Sequence, residues 1–299
     1  MKKLYVIFLF ILILFVGFIP SVNAASEGSR LPYYLDENES RYEAYQARNP
    51  DMPFDKVVAY VNANVDYGPY NNIEVIKKPA DLSALLNKNF ILSAGYVPKD
   101  LVTLPGGGLV RSEAAAAFLE MKEAAGHDDI PLFVRSSYRT YNDQVASYNL
   151  VMESFGRDGA EASVARPGHS EHQLGLALDL APAPGLSGPL TAMHFDETKQ
   201  YTWLLEHGHE FGFILRYPSE YASIHNYVFE PFHWRYVGVR IATEMFNEGI
   251  SVFEEYYGKY LSPAVRMNLM QTRVSRRSQA PPFFPDRNSS PLNSRNTTR

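Results

Sequence analysis

The chain has 299 residues, of which 45% are hydrophobic and 20% are charged, and it contains no cysteine. This composition is typical of a globular protein with a sizeable buried core, and it excludes collagen-like, coiled-coil and wholly disordered proteins. The absence of cysteine excludes disulfides, cysteine-ligated metals and cysteine nucleophiles. The formal net charge is −5, and the body of the chain is more acidic still because residues 272–299 contain six arginines and one acid. We therefore expect no nucleic-acid partner, since phosphate binding needs a basic face.

The N-terminus has the pattern of an export signal. Two lysines precede an apolar run over residues 4–19, and a Val-Asn-Ala sequence ending at residue 24 is typical of a cleavage site. We predict that residues 1–24 are a signal peptide that is removed after export. Left uncleaved, they would act as an N-terminal membrane anchor. In both cases the rest of the chain works outside the cytoplasm.

Two further segments flank the main domain. Residues 25–80 are polar and rich in tyrosine, and we interpret them as an N-terminal extension that packs on the main domain. Within them, Val57, Val58 and Val61 share one face at helical spacing, which predicts a helix over residues 55–64. Residues 263–299 are predicted to form a basic, disordered tail, because serine, asparagine, proline and arginine dominate toward the C-terminus.

Residues 81–262 form the predicted main domain, in which helical and strand periodicities occur without a regular βαβ rhythm. This mixture favours an α+β fold over a doubly wound α/β fold. Helices are predicted after caps at Ser112 and Thr140, over residues 201–209 and 241–247, and after a capping box of Ser251 and Glu254. Strands are predicted over residues 130–136, 174–180, 213–216 and 227–229. In the helix after Thr140, the residues expected to face the core are Val145, Tyr148, Met152 and Phe155.

One stretch of the main domain combines two potential metal ligands with small residues. A turn that Ser170 can cap presents His172, and a strand with period-two alternation follows the turn. The alternation places Leu176 and Leu178 toward the core and Asp179 on the opposite face, where the neighbouring residues are glycine and alanine. Because these small residues leave room, His172 and Asp179 can converge on one point.

A second stretch supplies an acid and a histidine three residues apart. Glu230 and His233 flank a proline that stiffens the segment, so the imidazole can reach a metal while the carboxylate stays beside the metal's open position. With His172 and Asp179, His233 completes the donor set of a catalytic zinc site, which keeps its fourth position for water. Bound zinc lowers the pKa of water to about 7. Glu230, left uncoordinated, can take the proton as general base.

The pattern Ser170-x-His172-x-x-Gly175-x-Ala177-x-Asp179, followed by Glu230-x-x-His233, resembles the VanY-type D-alanyl-D-alanine carboxypeptidases. These enzymes are zinc peptidases of bacterial cell walls and are related to L,D-carboxypeptidases. The resemblance continues, in the same order along the chain, at residues 86–88, 96–101, 137–144 and 212–218. It implies a small antiparallel sheet flanked by helices, with the zinc site in a cleft on the sheet. This fold agrees with the α+β prediction from the periodicities.

The resemblance also implies roles for the matching residues. The zinc ligands would be His172, Asp179 and His233, and the general base would be Glu230. Arg139 would stabilise the oxyanion that forms when hydroxide attacks the scissile carbonyl, because a fixed guanidinium aimed at developing charge is an effective catalytic group. Ser170 and Gln144 would bind the terminal region of the substrate.

The implied function is that of a secreted or wall-associated monomeric zinc carboxypeptidase that removes the terminal D-Ala from peptidoglycan stem peptides. Three alternatives stay open. L,D-carboxypeptidases, which act on tetrapeptide stems, share the quoted motifs. An endopeptidase that cuts cross-links would use His209 of a His-x-His motif as its third ligand. A non-catalytic wall-binding module would keep the zinc ligands, although binding alone needs neither Glu230 nor Arg139.

Overall fold

The computed structural model describes residues 31–185 and 194–279, so the predicted signal peptide and the end of the predicted tail lie outside the described residues. The helices are α1 (Glu39–Arg48), α2 (Phe54–Asn62), α3 (Ser112–His127), α4 (Tyr141–Ser163), α5 (Lys199–His207), α6 (Ala222–His225), α7 (Val239–Asn247), α8 (Phe253–Tyr256) and α9 (Pro263–Gln279). A π-helical turn over Tyr257–Leu261 lies between α8 and α9. The strands are β1 (Glu74–Val75), β2 (Phe90–Ile91), β3 (Leu101–Thr103), β4 (Leu109–Arg111), β5 (Phe133–Ser136), β6 (Ala177–Ala181), β7 (Phe213–Leu215) and β8 (His233–Tyr236). In this part of the chain, every helix is too short or too polar to span a bilayer.

A four-stranded antiparallel sheet in the order β5-β6-β8-β7 forms the centre of the main domain, which confirms the predicted α+β architecture. Side chains along each strand alternate between the two faces of the sheet. Leu178 on β6 and Trp234 on β8 are paired in the register and point into a hydrophobic core. The next pair, Asp179 and His233, therefore points to the other face. The predicted division of β6 into a core face and a site face is confirmed.

Two hydrophobic cores support this sheet. The first packs α3 and α5 against one face of the sheet. The second joins the N-terminal extension to the C-terminal helices and includes Val58 and Val61 of α2, Ile241 of α7 and Val265 of α9. The extension therefore packs on the main domain, and the N-terminal and C-terminal ends of the described chain meet in one core.

The C-terminal segment differs from the expectation of a disordered tail. Residues 263–279 form helix α9, in which Val265 is fully buried in the second core. Asn268 donates a hydrogen bond to the backbone carbonyl of Tyr34 at 3.1 Å. Polar residues dominate the composition of this segment, which is why the sequence predicts a disordered tail. The few apolar residues at helical spacing are wholly or partly buried because the N-terminal extension supplies a surface on which the helix packs.

Two elements predicted near the C-terminus are wrong. Residues 227–229 do not form a strand, because the backbone amide of Tyr227 donates to the ring of His225 rather than to a neighbouring strand. The capping box of Ser251 and Glu254 does not form either. Helix α8 begins at Phe253, and the carboxylate of Glu254 pairs with a buried arginine instead.

The helices before the site are correct in type but not in every detail. Thr140 caps α4 as predicted, whereas Ser112 is the first residue of α3 rather than its cap. The predicted inward face of α4 is correct only in part. Val145, Tyr148 and Met152 are half-buried, but Phe155 is 71% exposed, and Gln144 is the fully buried residue of the first turns. Helix α4 continues beyond Gly156, but the φ of 72° at this residue is not helical and produces a kink. Helical spacing located this element and most of its inward face, but it did not indicate that Phe155, beside the kink, is exposed.

Candidate active site

Strand pairing brings two of the predicted ligands together. Asp179 on β6 and His233 on β8 are directly opposite in the register, so their side chains emerge next to each other on one face of the sheet. Nδ1 of His233 lies 3.2 Å from Oδ1 of Asp179, and both side chains are largely buried. The sheet therefore joins two segments that are far apart in the sequence.

The third predicted ligand, His172, belongs to the 3-10 turn Glu171–Leu174 that precedes β6. Gly175 ends this turn in the left-handed conformation (φ 66°), which glycine adopts without strain. Nδ1 of His172 donates a hydrogen bond to the backbone carbonyl of Ser137 at 2.6 Å. This contact and the turn bring Nε2 of His172 to 3.3 Å from Oδ1 of Asp179.

The hydrogen bonds of the two imidazoles leave one nitrogen of each ring free for a metal. A carbonyl oxygen only accepts, so Nδ1 of His172 carries the proton and Nε2 keeps its lone pair. Nε2 of His233 lies 3.4 Å from Oε2 of Glu171, which also accepts, and Nδ1 is thereby left free. One donor atom from each of His172, Asp179 and His233 lies within 4.8 Å of the other two.

This donor set fits zinc. Oδ1 of Asp179 is buried and, among the described residues, has no hydrogen-bond partner, although both rings approach it. Ligand atoms about 2 Å from a tetrahedral ion stand roughly 3.3 Å apart, and the observed N–O distances of 3.3 and 3.2 Å match that spacing. Two imidazole nitrogens and one carboxylate oxygen are donors of catalytic zinc sites, and a cation between them would satisfy the orphaned oxygen.

Glu230 lies beside these donors without belonging to them. Its Oε2 is 3.6 Å from Nδ1 of His233, and 14% of its side chain is exposed. Burial, together with repulsion from Asp179, raises the pKa of Glu230 to about 7, against the attraction of His233 and two nearby arginines. A carboxyl group with a pKa near neutral is suited to accepting a proton and returning it.

The two imidazoles differ in their electrostatic surroundings. Burial, followed by the charge of Arg139, lowers the pKa of His172 to about 4, so this ring is neutral at pH 7. Burial also acts to lower the pKa of His233, but Asp179, Glu171 and Glu230 surround this ring and raise its pKa to about 9. At pH 7 the three carboxylates of the metal-free chain therefore hold a second proton on His233, on Nδ1, and a divalent cation displaces that proton when it binds.

The chain is similar to known proteins over most of the main domain. The family described as VanY, D-alanyl-D-alanine carboxypeptidase, matches residues 108–239. YodJ of Bacillus subtilis (strain 168), a protein assigned as a carboxypeptidase, is 33% identical over 204 residues, which cover 65% of this chain and 73% of YodJ. The bifunctional D-Ala-D-Ala dipeptidase and D-Ala-D-Ala carboxypeptidase VanXYC of Enterococcus gallinarum is 31% identical over 186 residues, or 61% of this chain and 96% of VanXYC. The chain belongs to the VanY family.

Solved structures of other VanY-type proteins agree with this membership. The LD-carboxypeptidase LdcB superposes with a TM-score of 0.57 and 33% identity, covering 62% of this chain and 90% of LdcB. A VanY D,D-pentapeptidase from a VanB-type resistance cassette, solved in complex with Zn(II), gives a TM-score of 0.51 and 32% identity, covering 58% of this chain and 97% of that one. This VanY-family chain is a zinc metallopeptidase, and His172, Asp179 and His233 are the described residues whose donors can hold the ion.

Arg139, the predicted oxyanion-stabilising residue of this VanY-family chain, lies between β5 and α4. Its backbone amide donates to the carbonyl of His172 at 3.2 Å, which places it next to the ligands. Its Nη1 donates to Oε1 of Gln144 at 3.1 Å. Its Nε is buried and has no hydrogen-bond partner in the described part of the chain. The contact of Arg139 with an oxyanion stays a prediction.

Gln144 and Ser170, the two predicted substrate-binding residues, are both buried. Besides accepting from Arg139, Gln144 donates to the backbone carbonyl of Ala165 at 2.7 Å, so both ends of its amide are engaged. In this structure Gln144 positions Arg139. Ser170 precedes the turn that carries His172, but its hydroxyl makes no cap hydrogen bond, contrary to the expectation. The substrate contacts of both residues stay predictions.

The alternative third ligand, His209, does not join the metal site of this VanY-family chain. Over residues 31–185 and 194–279, the group that can hold a metal consists of His172, Asp179 and His233. The ring of His209 instead stacks on Phe246, with 3.7 Å between the ring centroids. The ligand set of the endopeptidase alternative is therefore not assembled.

Two residues of this VanY-type site were missed by the sequence predictions. Glu171 contacts His233, and its position between the two predicted motif residues Ser170 and His172 was a visible signal. Arg135 on β5 places Nη2 3.5 Å from Oδ2 of Asp179. Strand β5 has a register irregularity at Arg135, and such bulges redirect side chains next to active sites. Nothing in the sequence marked this irregularity.

Proposed function

We propose that this chain is a zinc-dependent D-alanyl-D-alanine carboxypeptidase that removes the terminal D-Ala from peptidoglycan stem peptides. The observation that carries the proposal is the buried group of His172, Asp179 and His233 with the uncoordinated carboxylate of Glu230 3.6 Å from His233. A binding module needs the metal shell but not an unbound acid with a pKa near 7. The names of relatives support the substrate class: VanXYC is a D-Ala-D-Ala carboxypeptidase, and VanYB has been solved in complex with D-alanine-D-alanine.

Residues around the ligands keep the site ready for the metal. When bound, zinc supplies Lewis acidity, which lowers the pKa of water to about 7. The carbonyl of Ser137 and the carboxylate of Glu171 hold the protons of His172 and His233 on the nitrogens that face away from Asp179. The donors are thus oriented before the ion arrives, and no rotation of either ring is required.

Glu230 and Arg139 supply the proton transfer and the charge stabilisation. Oε2 of Glu230 accepts the proton of the attacking water and then returns it to the amine of the departing D-Ala. Arg139, with its Nε unpaired among the described residues, donates to the oxygen that becomes negatively charged. Gln144 holds the guanidinium in place through its own contact with Nη1.

The choice between D,D- and L,D-specificity rests on the relatives. The family and VanXYC are named for D-Ala-D-Ala substrates, which supports the D,D assignment. LdcB, an LD-carboxypeptidase, is structurally similar to this chain as well, so trimming of tetrapeptide stems is the second candidate.

Incubation of the zinc-loaded protein with pentapeptide and tetrapeptide stems, followed by mass spectrometry, tests the proposal. We expect the pentapeptide to lose one D-Ala and the tetrapeptide to stay intact. The variant Glu230→Gln should keep its zinc and lose turnover at least about 100-fold, the loss typical of a missing general base. Release of D-Ala from the tetrapeptide alone would establish the L,D candidate. Full zinc occupancy with no release from either stem would contradict the enzyme and favour the wall-binding module.

We also propose that the protein acts outside the cytoplasm, secreted or associated with the cell wall. The lysines and apolar run of residues 1–24 support export, and a peptidoglycan substrate lies outside the membrane. The mass of the protein recovered from its natural host should correspond to a chain that begins at Ala25. A chain that keeps residues 1–24 and sediments with membranes would instead establish the anchored form.

A further inference from the structure

Four buried charged side chains form a network beside the metal ligands. Nε of Arg216 donates to Oε1 of Glu171 at 2.9 Å, and Nη1 of Arg235 donates to the same oxygen at 2.8 Å. On its other edge Arg216 contacts both oxygens of Glu254, with 3.0 Å from Nη1 to Oε2 and 2.7 Å from Nη2 to Oε1. The side chains of all four residues are 0% exposed. Buried pairs of this kind interact strongly because no water competes for their hydrogen bonds.

This network ends on a metal ligand. The oxygen of Glu171 that the arginines leave free, Oε2, lies 3.4 Å from Nε2 of His233. Glu171 therefore keeps the proton of His233 on Nε2 and leaves Nδ1 for the metal. Outer partners of this type fix the orientation and the basicity of a ligating imidazole. A displacement of Glu171 would consequently be transmitted to the ligand.

The charges balance only when Glu254 is counted. Arg216 and Arg235 both contact Glu171, so these three residues alone would leave one buried positive charge uncompensated. Such a charge is costly in a protein interior. Glu254 supplies the second negative charge and engages two donors of Arg216, which limits the pull of that guanidinium on Glu171.

We infer that Glu254 is a positioning residue of the zinc site, acting through Arg216 and Glu171 on His233. It stands on α8, beyond the residues 108–239 that match the VanY family. The C-terminal part of the chain therefore contributes to the metal affinity of a site that it does not contact. This inference rests on the proposed role of His233 as a zinc ligand.

The variant Glu254→Gln tests the inference, because it removes the charge and preserves the shape. We expect the dissociation constant for zinc, measured at pH 7 by competition with a chromophoric chelator, to rise about tenfold, the lower end of the range for outer-shell partners. The matched control is Glu255→Gln. Glu255 is adjacent on α8 and also buried, but it pairs with Lys259 and Lys56 rather than with Arg216. Its removal should change the constant by less than about twofold, since it has no path to a ligand.

Both substitutions are expected to lower the melting temperature, so the zinc constant and not the stability decides the outcome. Equal constants for the two variants would overturn the inference while leaving the zinc site intact. A wild-type protein that binds no zinc would overturn the proposed function as well. If Glu254→Gln does not fold, Glu254→Asp replaces it, because the shorter side chain cannot keep both contacts with Arg216. Weaker zinc binding by that variant supports the inference, and unchanged binding overturns it.

Discussion

At the scale of the single residue, the site contains an acid in surroundings that disfavour its charge. Glu230 is largely buried near Asp179, and its pKa is raised from 4.5 to about 7. The folded protein therefore binds this proton more tightly than the unfolded chain does. Strongly shifted acids of this kind are found at catalytic positions, where reactivity is obtained at the expense of stability.

The variant Glu230→Gln should stabilise the metal-free protein at alkaline pH. Because the folded-state pKa of about 7 lies above the unfolded value of 4.5, the stabilising contribution of the protonated acid is present in full below pH 4.5 and is lost as the pH rises through 7. Glutamine resembles the protonated acid at every pH. The measurement is urea unfolding with a chelator present. The free energy of unfolding of the variant should exceed that of wild type by up to about 3 kcal/mol at pH 8 and by little near pH 5. An equal difference at both pH values would contradict the raised pKa.

At the scale of the element, the C-terminal π-helical turn approaches α2 so closely that only glycine fits. A Cβ at Gly258 would overlap the carbonyl oxygen of Ala59. The side chain of Asn62 on α2 also donates to the carbonyl of Gly258 at 3.2 Å. The N-terminal extension is thereby packed against the turn that directly follows α8, the helix that carries Glu254.

The variant Gly258→Ala should reduce the free energy of unfolding by about 1–3 kcal/mol or more, because backbone atoms must move to admit the methyl group. Gly126 near the end of α3 is the control, since it has no neighbouring atom within 4 Å of an added Cβ. There Gly126→Ala should leave the stability unchanged or raise it by up to about 1 kcal/mol, as expected for alanine in a helix. Denaturant unfolding measures both, and a similar loss in the two variants would exclude close packing as the cause.

At the scale of the whole molecule, the metal links three elements that only folding brings together. His172 lies on a turn, Asp179 on β6 and His233 on β8, so the unfolded chain has no preformed site. The free energy of zinc binding therefore adds to the free energy of folding.

Removal of zinc should lower the melting temperature of the wild-type protein. A ligand that binds only the native state contributes about 2.7 kcal/mol when its free concentration is one hundred times its dissociation constant. The variant Asp179→Asn, which lacks the charged donor, should show a much smaller zinc-dependent shift, whereas Glu230→Gln should show the full shift. Calorimetry with zinc and with a chelator measures these differences. A full shift in Asp179→Asn would exclude Asp179 as a ligand.

Much of the fold and of the site could be predicted because the relevant patterns are local. Alternation along β6 indicates which face carries Asp179, and Thr140 indicates the start of α4. Patterns that depend on a distant partner failed. The apolar residues of α9 did not predict a helix, because their packing surface belongs to the N-terminal extension. Glu254 has the spacing of a capping-box residue, but its carboxylate pairs with a buried arginine instead.

The sequence alone is enough to give the chemical identity of the donors, the presence of an unbound acid and the face of β6 on which Asp179 lies. Folding decides which atoms meet. It set the register that pairs Asp179 with His233, the carbonyl that orients His172 and the arginines that connect Glu171 to Glu254. This division arises because periodicity reports the local geometry of the backbone, whereas the partner of a buried charge is supplied by segments far away along the chain.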